Sequence, residues 1–218
     1  MLAVLATPAV LAGCSGDLST LDPAGPRAAS IATLWWVMFI GSAILFVLVL
    51  ALFGLAYFRS AWLARITPMQ WIVGGGLLLP IPILVFLTGT ALVLGEQLLP
   101  KGKAPIRIEG QAQRWFWTFS YPGAPAMAPT ETLHMPAGQP VDIAVTSTDV
   151  IHALWLPRLG GKIDAVPGHV NVIRLQADEP GIYWGQCAEY CGIGHDGMLL
   201  RVEAHSAGDF AALMEGGQ

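Results

Sequence analysis

Two stretches of the chain, Ile31 to Phe58 and Ile66 to Gly95, carry no charged residue. Each is longer than the ~20 apolar residues that a helix needs to cross a bilayer. Inside hydrocarbon every backbone N–H and C=O must find its partner within the segment, so each run is confined to a helix. The composition agrees, with 54% hydrophobic residues, 12% charged residues and a mean hydropathy of +0.58, too apolar for an ordinary soluble domain. A buried hairpin at the heart of a soluble core is the competing arrangement, and 218 residues leave too little protein to cover it. The expected spans are 31–58 and 66–97, joined by a loop over 59–65.

That loop, within Phe58-Arg-Ser-Ala-Trp-Leu-Ala-Arg65, holds two arginines and no acidic residue. Positive loops stay on the cytoplasmic side, which places both chain ends on the outer side. Trp62 and Trp71 suit the inner interface. In the second run Pro80 and Pro82 predict a kink, while Gly74-Gly-Gly76 predicts either close packing against a partner helix or a locally weakened helix.

Met1 to Ala12 is a short apolar segment leading to Leu11-Ala-Gly-Cys14, which Ser15 and Gly16 follow, the pattern of a bacterial lipobox. Cleavage before Cys14 removes 1–13 as a lipoprotein signal, leaves Cys14 as a lipid anchor and heads an outer segment over 14–30. The basic residues that usually open such a signal are missing.

Beyond Gly95 the pattern changes. Turn signals recur at Pro122-Gly123, Pro136-Ala-Gly138, Gly160-Gly161, Pro167-Gly168 and Pro180-Gly181, and residues alternate in Val141–Thr146 and Val170–Leu175. Short strands with Pro/Gly turns predict a β-sandwich or barrel over 98–205. Residues 206–218 are expected to form a short helix or a frayed tail.

Within that domain, Cys187-Ala-Glu-Tyr-Cys191-Gly-Ile-Gly-His195-Asp-Gly-Met198 places two thiols, an imidazole and a thioether in twelve residues. Thiolate and thioether are soft donors that select copper or zinc, and a weak Met ligand beside Cys and His is typical of electron-transfer copper. Structural zinc asks for two short Cys or His pairs well separated, and a c-type haem for Cys-x-x-Cys-His; neither pattern is present. A Cys187–Cys191 disulfide with a surface His and a core Met is the plain alternative, against which the +4 and +7 placement of His195 and Met198 weighs. A mononuclear blue-copper site needs one thiolate, so the second Cys suggests two ions sharing bridging sulfurs, with a further nitrogen donor elsewhere. His152 is the candidate, in an apolar run beside Ile151 and Trp155 where an unpaired imidazole is costly to bury.

Several motifs together resemble subunit II of haem-copper cytochrome oxidases: Gly185-Gln-Cys-Ala-Glu-Tyr-Cys-Gly192, Ile151-His-Ala-Leu-Trp-Leu-Pro157, Gly161-Lys-Ile-Asp-Ala-Val-Pro-Gly-His-Val-Asn171 and Gln113-Arg-Trp-Phe-Trp-Thr-Phe119. The similarity runs from about Ile31 to Arg201. It implies a two-helix membrane hairpin followed by a Greek-key cupredoxin β-sandwich, with His152 at a strand end and the copper loop between the last two strands. It implies a dinuclear copper centre, CuA, held by the side chains of His152, Cys187, Cys191, His195 and Met198 and by the backbone carbonyl of Glu189. The Glu189 side chain is implied to reach a magnesium or manganese ion at the boundary with the catalytic subunit.

By the same resemblance Trp115 is the electron-entry ring and Asp164 lies in the docking region for a c-type cytochrome. On a strand, the Trp-Phe-Trp run is expected to send alternate rings to opposite faces, with core packing fitting Trp117 or Phe116 better than Trp115. Between Glu131 and Glu215 eleven acidic residues face four basic ones, a local net charge of −7 in a chain of net charge −4, which steers a basic partner. The implied partners are the haem-copper subunit I, subunit III, a separate c-type cytochrome and membrane lipid, with no nucleic acid. No haem is expected on this chain, because no haem-c motif follows Arg201. The expected location is a bacterial inner membrane, with the copper domain on the periplasmic side.

One departure from the family is that Thr67-Pro-Met-Gln70-Trp71 offers no carboxylate at the cytoplasmic start of the second span, where many members place the mouth of a proton path. Three other functions compete. Quinol-oxidase subunits share the architecture but have lost the copper ligands; nitrous oxide reductase carries the centre on a far longer soluble chain. A membrane-tethered copper delivery or storage protein would favour a few exposed, exchangeable ligands over two distant segments closing on one site.

Overall fold

Pro26 starts the first helix because its missing N–H is one that the first turn leaves unpaired in any case. This helix, α1, is Pro26–Phe58, so it begins at Pro26 rather than at the expected Ile31 and includes Arg27 in its first turn. A charge ends an uncharged run without ending a helix. The structure, a computed structural model, describes residues 14–102, 106–124 and 127–216. The expected signal segment 1–13 and the side chain of Trp62 lie outside the described set.

The expected loop 59–65 holds a single helical turn, α2, Ser60–Leu63. The next helix, α3, is Pro68–Val73, opened by a capping box in which Thr67 accepts from the Gln70 N–H and Gln70 returns the bond to the Thr67 N–H. Gly74–Leu78 then widens into a π-helical turn, closed by Leu79 N–H donating to Gly74 C=O at 3.0 Å. Two local causes coincide: glycines that hold the helix weakly, and a proline whose ring clashes with the turn before it. Of the two readings of Gly74-Gly-Gly76, the locally altered helix is the one seen within the chain. A fresh helix, α4, Pro80–Leu98, follows. Pro80 and Pro82 fall in its first turn, where absent N–H groups cost nothing, so the irregularity precedes them. Both Pro26–Phe58 and Pro68–Leu98 are long and apolar enough to cross a membrane, and the apolar window of neither is buried in the protein.

The other compact unit joins the N-terminal stretch to everything from Leu99 onward. Its nine strands are β1 Ile106–Gln113, β2 Phe116–Ser120, β3 Leu133–Pro136, β4 Val141–Ser147, β5 His152–Trp155, β6 Lys162–Ala165, β7 Asn171–Leu175, β8 Gly181–Cys187 and β9 Leu199–His205. They form two sheets, β2-β1-β4-β7 and β3-β9-β8-β5-β6, in which β1·β4 and β3·β9 pair in parallel and the other neighbours antiparallel. Period-two alternation turns Ile108 of β1, Ile143 of β4, Leu154 of β5 and Leu200 of β9 into one shared core, giving the cupredoxin sandwich. Each such side chain contributes about 1.5–3 kcal/mol by leaving water.

The expected outer segment 14–30 does not stand alone. Ala24 N–H donates to Arg158 C=O at 2.7 Å, Asp178 N–H donates to Ala24 C=O at 2.9 Å, and Asp22 pairs with Arg158 at 3.2 Å. Arg174 clamps the start of the domain: its guanidinium forks onto Asp142 at 2.7 and 2.8 Å and also donates to the carbonyls of Lys101 and Gly102. The tail resolves into α5, Ala207–Gly216, capped by Ser206 Oγ accepting the Asp209 N–H and anchored by buried Phe210.

Candidate metal centre

Strand register brings together donors that lie far apart in sequence. Along β8 the inward positions are Tyr183, Gly185 and Cys187, so the last residue of the strand delivers its thiol into the sandwich. Leu154 of β5 pairs with Cys187, and His152, two residues before Leu154, therefore shares its face. On the other side Gln186 pairs with Leu199, and the Cys187 N–H donates to Met198 C=O at 3.0 Å. Leu199 faces out, so Met198 faces in.

The loop between β8 and β9 supplies the rest. Gly192 takes φ +122°, a conformation that side chains disfavour, and a one-turn helix, His195–Gly197, turns the imidazole back toward Cys191. His152 Nδ1 lies 3.8 Å from Cys187 Sγ, the two sulfurs stand 3.9 Å apart, and Cys191 Sγ lies 3.6 Å from His195 Nδ1 and 3.9 Å from Met198 Sδ. The Glu189 carbonyl oxygen is 3.2 Å from Cys187 Sγ. His152 and Met198 are 0% exposed, Cys187 3% and Cys191 4%.

A disulfide needs about 2.05 Å between sulfurs, so the bonded-pair alternative does not describe this arrangement. Two thiolates on a shared ion at about 2.3 Å stand about 3.8 Å apart in tetrahedral geometry, close to the spacing here. Burial, with the neighbouring Cys187 next, pushes the Cys191 thiol up to about 11. The thiolate is the form that ligates a metal, so an ion entering here must displace that proton. Sulfur, imidazole and carbonyl donors in a closed, apolar pocket fit a soft metal, and copper suits a thioether as zinc does not.

Asp149 is the residue that sequence reasoning passed over. Its Oδ1 accepts the His152 Nε2 proton at 2.9 Å, which leaves Nδ1 as the lone-pair nitrogen facing Cys187. The same carboxylate accepts the N–H of Val150 and of Arg114 and the hydroxyl of Ser147. Burial works to raise its pKa, but these bonds, His152 first, outweigh it and hold the group well below the usual carboxylate range. The available signal was a carboxylate three residues before a candidate ligand.

Trp115 departs from the expected strand geometry. It sits in the β1–β2 turn, ahead of β2, so the alternation rule does not reach it; Trp117 is buried in the core while Trp115 is 42% and Phe116 39% exposed. Core packing thus fits Trp117 and not Phe116. The Trp115 ring lies over the β8–β9 loop instead, close enough that a methyl on Gly194 would stand 2.5 Å from its Cδ2.

Lys162 Nζ lies 2.7 Å from Asp164 Oδ1 and 3.4 Å from Glu189 Oε2, so one lysine joins the two carboxylates for which docking and metal roles were expected. Asp142 is likewise paired with Arg174 and Glu203 with Arg201. Cys14 is half-buried, its carbonyl accepting from Ser19 Oγ at 2.9 Å, and belongs to neither metal-capable group among the described residues.

Comparison with known proteins places the chain in a family. Residues 125–205 match the model for cytochrome C oxidase subunit II, periplasmic domain. Cytochrome c oxidase subunit 2 of Alkalihalophilus pseudofirmus is 33% identical over 94% of this chain, which spans 64% of that protein's length. The subunit 2 of Albinaria caerulea is 35% identical, covering 61% of this chain and 68% of its own. Ubiquinol oxidase subunit 2 of Acetobacter aceti is 30% identical, covering 97% of this chain and 72% of its own. Among solved structures, the periplasmic domain of subunit II of cytochrome oxidase (CoxB) of Bradyrhizobium japonicum aligns with a TM-score of 0.49 and 29% identity, over 53% of this chain and 95% of that one. With two relatives at 30% identity or more covered over two thirds of their length, the chain belongs to the subunit II family of haem-copper cytochrome oxidases.

Proposed function

We propose that this chain is the electron-entry subunit of a cytochrome c oxidase, with a dinuclear CuA centre between β5 and the β8–β9 loop. The observation that carries the reading is the convergence of five donor side chains, His152, Cys187, Cys191, His195 and Met198, with the Glu189 carbonyl, in one buried pocket. Held there, a copper pair would supply one-electron transfer between a c-type cytochrome and the haem of subunit I, where oxygen is reduced. The chain's own residues hold that pair rigidly: β5 and β8 set His152 and Cys187, Asp149 fixes the His152 tautomer, and the Gly192 turn sets His195. Rigid ligands keep reorganisation small when the charge changes.

In this reading Trp115, half-exposed above the loop, is where the electron enters, and Asp164 belongs to the face that meets the cytochrome. Release of Lys162 frees the Glu189 carboxylate for magnesium or manganese beside subunit I. Cys14 carries the lipid, subunits I and III pack on α1 and on the helices of Pro68–Leu98, and the copper domain faces the periplasm of a bacterial inner membrane. The relative named as a ubiquinol oxidase subunit keeps quinol as the alternative donor. The complete thiolate, imidazole and thioether set favours the cytochrome.

The test is absorption and EPR of the full chain, purified in detergent and loaded with copper. Two copper ions per chain sharing one unpaired electron support the reading. One ion with an ordinary type 1 or type 2 signal, or zinc held in preference, overturns it.

A further inference from the structure

A second group of metal-capable side chains lies at the far edge of the five-stranded sheet, away from the copper loop in the fold's connectivity. His134 of β3 stands in register with Glu203 of β9, and His205 follows two residues later on the same face. His134 Nδ1 and His205 Nε2 are 2.9 Å apart, and Glu203 Oε2 lies 3.6 Å from the first and 4.0 Å from the second. Three donor atoms thus form one small triangle. For bonds of about 2.0–2.1 Å, tetrahedral ligands stand about 3.3 Å from one another, so the triangle brackets the spacing a bound ion imposes.

The supports are already in place. The other oxygen of Glu203, Oε1, is held by Arg201 at 2.6 Å, which leaves Oε2 turned to the two rings. The His134 backbone is pinned on both sides by Tyr121, whose hydroxyl accepts its N–H at 2.6 Å and donates to its C=O at 3.0 Å. The His205 C=O accepts the Ala137 N–H at 2.8 Å, and its ring lies 6.5 Å from that of Phe210 in α5. The three side chains are 15%, 28% and 23% exposed, open enough for an ion to enter and for water to complete its shell.

We infer that His134, Glu203 and His205 form a divalent-cation site of the zinc type, two imidazoles and one carboxylate with solvent in the remaining position. Nitrogen and oxygen donors of this kind suit zinc, and no sulfur is within the group. The ion clamps the short edge strand β3 to β9, the strand whose other end begins beside Met198. It is chemically distinct from the soft site in the β8–β9 loop and stands whether or not that site holds copper.

The experiment is zinc binding by equilibrium dialysis, with zinc X-ray absorption, on the detergent-purified full chain carrying Cys187→Ser and Cys191→Ser, so that the thiolates of the β8–β9 loop contribute nothing. One zinc per chain with a nitrogen/oxygen shell that includes two imidazoles is expected. His205→Asn and Glu203→Gln each weaken it at least about tenfold, and Arg201→Gln, which loses only the support, by about tenfold. In the chain with both cysteines intact, His205→Asn must remove one zinc and leave any sulfur-bound zinc unchanged. Glu203→Gln keeps side-chain volume on a solvent-accessible position, so it reports on binding even where the histidine variant folds poorly. Absence of zinc below about a hundred micromolar, sulfur in the shell, or binding unmoved by both substitutions overturns the site.

Discussion

Asp149 accepts the Nε2 proton of His152 at 2.9 Å, while the other nitrogen of the ring looks toward Cys187 Sγ at 3.8 Å. One carboxylate therefore decides which nitrogen offers its lone pair to the pocket. The same carboxylate takes the Arg114 N–H and so ties the turn that bears Trp115 to the ligand it stands near. Replacing Asp149 by Ala is expected to weaken copper retention by about 10–100-fold against a competing chelator. Retention equal to that of the unaltered chain would show that the tautomer is set by something else.

Trp115 and Gly194 are bound to each other by lack of space. A methyl at Gly194 meets the ring at 2.5 Å, so Gly194→Ala is expected to destabilise the domain by about 1–3 kcal/mol through forced movement of the ring. Combining it with Trp115→Ala restores most of the loss. Urea midpoints of the two single variants and the double variant check the coupling; simple additivity counts against it.

If Trp115 is the entry point, Trp115→Leu slows reduction by a c-type cytochrome by at least about tenfold, about 1.4 kcal/mol in barrier, and leaves the copper absorption and EPR unaltered. Stopped-flow reduction of the loaded chain measures both. A changed spectrum assigns the ring to the pocket's structure instead.

Arg174 and Asp142 form a two-point fork, 13% and 16% exposed, that also fastens the carbonyls of Lys101 and Gly102. Arg174→Met leaves the Asp142 carboxylate without its fork, for a loss of about 1–3 kcal/mol in chemical denaturation. Arg174→Lys recovers little, because an ammonium group cannot reproduce the planar fork.

Burial lifts the Tyr121 phenol above its ordinary value, against a smaller downward pull from its bond to the His134 backbone. Below about pH 10 the phenol is neutral in both folded and unfolded chains and makes no pH-dependent contribution. Above that, the unfolded chain ionises first, so stability falls as pH rises, by up to about 1.4 kcal/mol per pH unit. Thermal melts between about pH 8 and pH 12 are expected to fall more steeply for the unaltered chain than for Tyr121→Phe. Parallel curves would place the titration elsewhere.

The two apolar helices and the close grouping of Cys187, Cys191, His195 and Met198 were legible in the sequence, because both are local properties. A charge-free run longer than a bilayer admits one backbone solution, and Cys187, Cys191, His195 and Met198 fall within twelve residues whatever surrounds them. The strands at Val141–Ser147 and Asn171–Leu175 were visible through the same kind of local alternation. The start of α1 at Pro26, the π-helical turn at Gly74–Leu78 and the place of Trp115 in a turn were not, since each depends on where an element ends. Asp149 against His152, the N-terminal stretch against Arg158 and Asp178, and His134 against His205 belong to tertiary structure alone. They arise from sheet register and long-range hydrogen bonding, which join residues that no period or spacing along the chain connects.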